Sequence, residues 1–453
     1  MYHLFYLCLY IYKRAGNKFS EIAEIAPLVA YFILPVIFII VLFYYNPIMD
    51  SYLWLLVLDR LLVSIVLLLL FALAFPLEIY WDLRIRMAKE KMRSLQHCYV
   101  IAVVGEYEKK ETIHMIGQVF AEEQGIVTLA PKTMNKRSLA EAINSSVTDT
   151  TRMIIVGFNV FSKNDLYELS QLLTPNVVIC TSVSGDKMPF YESFFRSLPE
   201  TVPVLMNVSG DQNVHLLKHM TAKYRKKQRR IISYAVDGKT LTRGTSDGIV
   251  AGTITQKKGS TSFSVTLNGK SQHFTTPLLG TYSIMCLLPG VYLGATSGIP
   301  LQDLKKIVAN LQSPEGIMVP YLLQHNTVLI DNSGSNSVAG VSSALSYMQV
   351  YKGKKILVYS PVSSLTDRAS EEQSAIAAMI AQHCDHLFVV NKFFRRAIMK
   401  GFSGTNSKCA ISYRNKYAIA GYLRKELQHK DTIVLFNGTD TQRVQRYVLK
   451  RVH

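Results

Sequence analysis

The residues best suited to do chemistry lie between Gly105 and Thr112. A β-branched run, Tyr99-Val-Ile-Ala-Val-Val104, ends on Gly105, and Lys109 follows four residues later. Met115, Ile116 and Phe120 then continue an amphipathic segment. Strand, glycine turn, lysine and helix form the outline of a phosphate-binding loop. In such a loop backbone N–H groups curl round an anion, the lysine meets the phosphates, and a following hydroxyl holds Mg²⁺. Gly105, Lys109, Lys110 and Thr112 are therefore the candidate nucleotide contacts. Two positions depart from the loop: Glu108 replaces the glycine before the lysine, and Lys110 replaces the hydroxyl after it. Glu106 and Glu108 would place carboxylates inside a cradle meant for polyphosphate. The same pattern also fits an ordinary strand-to-helix turn.

The elements that must position these residues alternate as in an α/β protein. Strands are expected at Tyr99–Val104, Met153–Val156, Val177–Cys180 and Val204–Met206, with helices over 110–123, 136–145, 163–173 and 189–197. A parallel sheet flanked by helices follows, with its ligand site at the carboxyl ends of the strands. The basic run Lys218 to Arg230 reads as a solvated helix face. Ile231–Ala235, Gly248–Thr255 and Ser262–Leu267 read as short antiparallel strands, followed by helices 281–296 and 301–312. A boundary falls near Ser313-Pro-Glu-Gly316. Beyond it strands Thr327–Ile330, Lys355–Tyr359, His386–Val390 and Thr432–Phe436 alternate with helices 338–351, 370–383, 415–428 and 441–450. That is enough chain for a Rossmann-like domain of its own.

Residues 22–45 and 52–75 are apolar runs, the second interrupted only by Asp59 and Arg60. Each is long enough to cross about 30 Å of hydrocarbon as a helix. Lys13, Arg14 and Lys18 precede the first, Asn46 to Ser51 carries no positive charge, and Arg84, Arg86, Lys89, Lys91 and Arg93 follow the second. Positive flanks stay inside, so both ends are expected on the cytoplasmic side of a membrane crossed twice. Residues 1–21 read as an interfacial segment and 76–97 as a basic linker, its helix 83–95 lying against anionic lipid. A solvated linker helix is the alternative for that stretch.

Lys and Arg outnumber Asp and Glu by 50 to 32 over 453 residues, a net charge of +18. The excess fits a membrane surface, a phosphorylated ligand or a nucleic acid. No nucleic-acid motif accompanies it, so nucleic acid ranks last. The six cysteines are scattered without paired spacing, which argues against a zinc site or a disulfide framework.

The order of pieces resembles the Mur ligase family, in particular its MurF branch, which adds D-alanyl-D-alanine to a cell-wall precursor. The resemblance covers about residues 98–453. It rests on the Gly105–Thr112 turn, Ile155-Val-Gly157, Pro175-Asn-Val-Val-Ile-Cys-Thr-Ser-Val183, Leu205-Met-Asn207, Leu279-Gly280, Val328-Leu-Ile-Asp-Asn-Ser333 and Ile433-Val-Leu-Phe-Asn-Gly438. It implies a central P-loop-type parallel-sheet domain at 98–315 and a C-terminal Rossmann-like domain at 316–453, while the two transmembrane helices expected within 22–75 stand in place of the family's own N-terminal domain. It also implies ATP and Mg²⁺ as cofactors, with Asp331, Asn332 and Ser333 as hinge-side nucleotide contacts. The partners implied are inner-membrane lipid, a lipid-linked or UDP-linked cell-wall precursor, and other envelope-synthesis proteins.

The departures from the family fall on its charged ligands. The metal-binding glutamate aligns with Ile155, a histidine with Lys187, an arginine with Ile317 and a lysine with Asn437. Tyr282, Ser283 and Cys286 replace a His-Asn pair and a second Asn, and no lysine remains between Tyr191 and Pro203 where the family carries a carbamoylated one. Losing one transition-state charge contact costs about 10²–10³ in rate, so a catalytically impaired member is expected, with no catalytic residue and no metal ligand assigned. A divergent active ligase is the alternative, MurF-like or γ-polyglutamate-type, with Glu108, Asp186, Asp211 and Asp331 available as oxygen donors.

Overall fold

In the computed structural model the described residues are 51–450, apart from 96, 130–135, 159–171, 186, 225–229, 237–246, 268–269, 324–326, 336, 362–368, 393, 406 and 430. The chain forms two compact units, one ending at Glu90 and one running from Lys91 to the C-terminus.

The first unit is described through helix α1, Ser51–Ser94. The helix takes in the second apolar run and continues unbroken through Pro76 into the basic segment. The separate helix expected over 83–95 is therefore the end of one rod about 66 Å long at 1.5 Å per residue. Leu62, Ile65, Val66, Phe75, Leu77, Ile79, Tyr80, Leu83 and Met87 along it are exposed. Counted over described residues, no helix is long and apolar enough to cross a membrane. The first expected span, 22–45, and the interfacial segment lie outside the described residues.

The second unit holds two sheets. Nine strands form the first: β1 Tyr99–Val104, β2 Ile126–Leu129, β3 Met153–Phe158, β4 Val177–Cys180, β5 Val204–Asn207, β6 Ile231–Val236, β7 Asp247–Lys257, β8 Ser260–Leu267 and β9 Lys270–Thr276, in the order β2-β3-β1-β4-β5-β6-β7-β8-β9. Pairing is parallel from β2 through β7 and antiparallel only for β7-β8-β9. The expectation that β6 and β7 pair antiparallel is thus corrected. The connection from Val236 to Asp247 is too long for a tight hairpin turn and does not force reversal. The helices of this half are α2 Lys109–Val119, α3 Lys136–Ser146, α4 Met188–Ser197, α5 Asp211–Tyr224, α6 Gly280–Thr296 and α7 Leu301–Ala309. The helix expected over 163–173 falls almost wholly outside the described residues.

β1 sits in the middle of the parallel part, with β3 on one side and β4 on the other, which explains its β-branched run without alternation. Its residues Ile101 and Val103 share a core with Ile113, Ile116 and Val119 of α2, Leu287 and Val291 of α6, and Leu304 of α7. α6 is buried from Tyr282 to Gly294, as its unbroken apolar sequence requires. Gly290 and Gly294 bring it against α2, since a Cβ at either would lie 3.1 Å from Val119.

Six strands form the second sheet: β10 Val319–Leu322, β11 Val328–Asn332, β12 Lys354–Tyr359, β13 His386–Val389, β14 Ala410–Tyr413 and β15 Thr432–Asn437, ordered β10-β11-β15-β12-β13-β14. All pairs are parallel except β10 with β11. Helices α8 Val338–Met348, α9 Ala369–His383 and α10 Arg395–Ser403 bury one face, and α11 Lys416–Glu426 and α12 Gln442–Leu449 the other. β10, α10 and β14 were not expected from the sequence.

Candidate functional site

The site is built at the carboxyl ends of β1, β4 and β5, where a doubly wound sheet holds its ligand. β1 ends at Val104, and Gly105 turns with φ +135. Any side chain there would run into the Thr181 hydroxyl, so the position requires glycine. That hydroxyl donates to the Tyr107 carbonyl (2.6 Å) and lies 3.1 Å from the Val104 carbonyl. The Glu106 N–H donates to the Ser182 carbonyl (2.8 Å), tying the turn to the end of β4.

α2 begins at Lys109 behind Glu108, which adopts the left-handed conformation (φ 68) that the expected glycine would hold without strain. The Glu108 side chain turns into the crevice. Its Oε2 accepts from Ser182 N (3.2 Å), Ser182 Oγ (2.6 Å) and Asn207 Nδ2 (3.5 Å). Asn213 of α5 holds these donors in place: its Nδ2 donates to the Thr181 and Asn207 carbonyls (2.8 Å each) and its Oδ1 accepts from Val183 N (3.0 Å). Asn213 carried no signal in the sequence, while Ser182 and Asn207 did so only as parts of Pro175–Val183 and Leu205-Met-Asn207.

The charges are arranged inward. Burial pushes the Glu108 carboxyl up to about 7, against the opposing pull of its Ser182 bonds. Burial also lowers the Lys109 ammonium to about 8, with Glu106 opposing. Lys109 Nζ is folded back onto the Gly105 carbonyl and also reaches the Glu106 carbonyl (3.4 Å). Glu106 pairs with Lys187 (3.2 Å). Burial raises Glu111, whose carboxylate accepts from its own N–H. A helix N-terminus favours anions, and here the chain's own glutamates meet it.

The expected contacts divide accordingly. Gly105 and Lys109 lie in the turn. Lys110 is exposed and lines an open groove with His114, Gln118 and Thr128. Thr112 is buried and meets the Cys286 thiol. Ile155 is wholly buried in the core around β1. In the second sheet, buried Asp331 accepts from Ser333 N (2.9 Å), and Asn332 Nδ2 donates to Asn437 Oδ1 (2.7 Å). Tyr282 joins the two groups: it bonds Ser337, the N-cap of α8, and feels the charges of Glu111 and Glu108.

A polyphosphate does not fit this turn as it stands. The Glu108 carboxylate takes the donors an anion would use, and the lysine that should meet a phosphate is spent on a backbone carbonyl.

No family model matches the chain. It is 21% identical, over 356 residues, to the UDP-N-acetylmuramoyl-tripeptide–D-alanyl-D-alanine ligase of Bacillus subtilis (strain 168), spanning 77% of this chain and 75% of that protein. Among solved structures it is similar to MurF from Acinetobacter baumannii, with a TM-score of 0.67 and 14% identity over 81% of this chain and 80% of that one. MurF ligase from Thermotoga maritima in complex with ADP also matches, with a TM-score of 0.67 and 14% identity over 82% and 84%. The chain is thus similar in sequence to one curated MurF-type ligase and shares the fold of solved MurF structures.

Proposed function

We propose that the chain is a membrane-anchored, catalytically impaired relative of the ATP-dependent ligases of cell-wall synthesis. On this reading it keeps the fold in order to hold a UDP-linked or lipid-linked precursor, or a protein of envelope synthesis, at the inner membrane face. The observation that carries the reading is the Glu108 carboxylate on Ser182 and Asn207, with Lys109 turned back onto Gly105. Ligation of this kind works by positioning and neutralising phosphate charge, and these residues are committed to one another instead. Ile155 in the core and the Asn332–Asn437 pair support it from the metal side and from the second sheet. The two apolar runs with their basic flanks support the anchor.

The test is phosphate release from MgATP by the purified full-length chain, with D-alanyl-D-alanine or glutamate as amine. No release above that of the Lys109→Ala variant is expected. Release that depends on Lys109 would instead identify an active, divergent carboxylate–amine ligase.

A further inference from the structure

The crevice at the N-terminus of α2 is furnished for an anion, and an anion of the chain's own is already in it. Three donors from the ends of β4 and β5 converge on one oxygen of Glu108, the residue that caps the start of an 11-residue helix without a side-chain bond to its amides. Glu108 is only 5% exposed, and its other oxygen, Oε1, has no hydrogen-bond partner among the described residues. The side chain is held at two costs, a buried unanswered oxygen and a left-handed backbone at a residue other than glycine. Around it stand Glu106, Lys109 and Glu111 of the turn and α2, Cys180 of β4, Tyr234 of β6, and Tyr282 and Cys286 of α6. Lys109 is the cation among these.

We propose that Glu108 is a built-in plug: its carboxylate occupies a seat for a phosphate-bearing anion formed by Ser182 and Asn207, which Lys109, the next residue, would complete once the carboxylate is gone. The inference rests on the reading that no ATP chemistry passes through this turn, and adds that the seat is closed by one side chain and not dismantled. A carboxylate and a phosphate call on the same N–H and O–H donors. Removing the carboxylate leaves those donors, and leaves space beside Lys109, whose ammonium can swing from the Gly105 carbonyl to an incoming phosphate.

The experiment measures pyrophosphate binding by calorimetry, without metal, on the full-length chain in detergent. Glu108→Gly suits the left-handed position, and Glu108→Asn tolerates it while shortening and neutralising the side chain. Both variants are expected to bind pyrophosphate at least tenfold more tightly than the unaltered chain. Adding Lys109→Ala to either should remove the gain. Folded variants that bind no better overturn the proposal, as does tight binding by the unaltered chain. Variants that fail to fold overturn it too, because a plug is dispensable to the fold. MgATP turnover by the unaltered chain is a separate readout, and contradicts the functional reading rather than the plug.

Discussion

Ser343 Oγ in the middle of α8 accepts the backbone N–H of Tyr282 at 3.0 Å, joining the second sheet's layer to the start of α6. The contact is close because Gly280 has φ +79, and a Cβ there would lie 2.6 Å from the same oxygen. Gly280→Ala is therefore expected to lower stability by about 1–3 kcal/mol, through both backbone strain and the clash. Ser343→Ala loses one hydrogen bond, about 1 kcal/mol. Denaturant unfolding of the two single variants and the double should show a double less destabilised than the sum, since Ser343→Ala makes room for the added methyl.

A second clasp lies at the β7–β8 turn. The Tyr347 hydroxyl of α8 accepts from Gly259 N (3.1 Å) and donates to the Lys257 carbonyl (3.3 Å), and Lys258 Nζ stands 5.2 Å from the Tyr351 ring centre. Tyr347→Phe keeps the packing and removes both bonds. Hydrogen exchange at Gly259 should quicken at least tenfold, with exchange in β1 unchanged. An unchanged Gly259 rate would mean the clasp is held by packing alone.

Stability should depend on pH with a minimum between about 7 and 8. Glu108 holds its proton up to about 7 in the folded chain, against a usual 4.5. Between those values the unfolded chain has already released the proton, so stability falls as pH rises. Lys109 loses its proton near 8 when folded, against a usual 10.5, so from about 8 upward stability recovers. Each limb is worth no more than about 3 kcal/mol. Melting temperatures from pH 5 to 10 should show the falling limb removed by Glu108→Gln and the rising limb removed by Lys109→Met. Unaltered limbs in those variants would assign the pH dependence elsewhere.

Much of this fold was legible because the parallel strands are continuous apolar runs, as at Tyr99–Val104, Val177–Cys180 and Thr432–Asn437. β2 and β14 were not, since each has four residues, lies at a sheet edge and is mostly only part-buried. The site divides in the same way. Glu108 was visible as a misfit in a glycine position, but nothing local shows that Ser182 and Asn207, 74 and 99 residues away, close on its carboxylate. Nor does a run of two lysines reveal that Lys109 turns inward while Lys110 faces out.

The membrane topology is open to direct labelling. With two spans, Asn46→Cys lies in the outer turn and should react with an impermeant maleimide in intact cells. Lys450→Cys, exposed after α12, should react only after the membrane is opened. Labelling of both in intact cells, or of neither, is incompatible with that topology.

The central claim is that the turn after β1 has exchanged its polyphosphate for the chain's own carboxylate. Calorimetric titration of the full-length chain with MgATP at pH 7.5 tests it most directly. No saturable binding below the millimolar range is expected, and micromolar affinity that disappears in Lys109→Ala would contradict it.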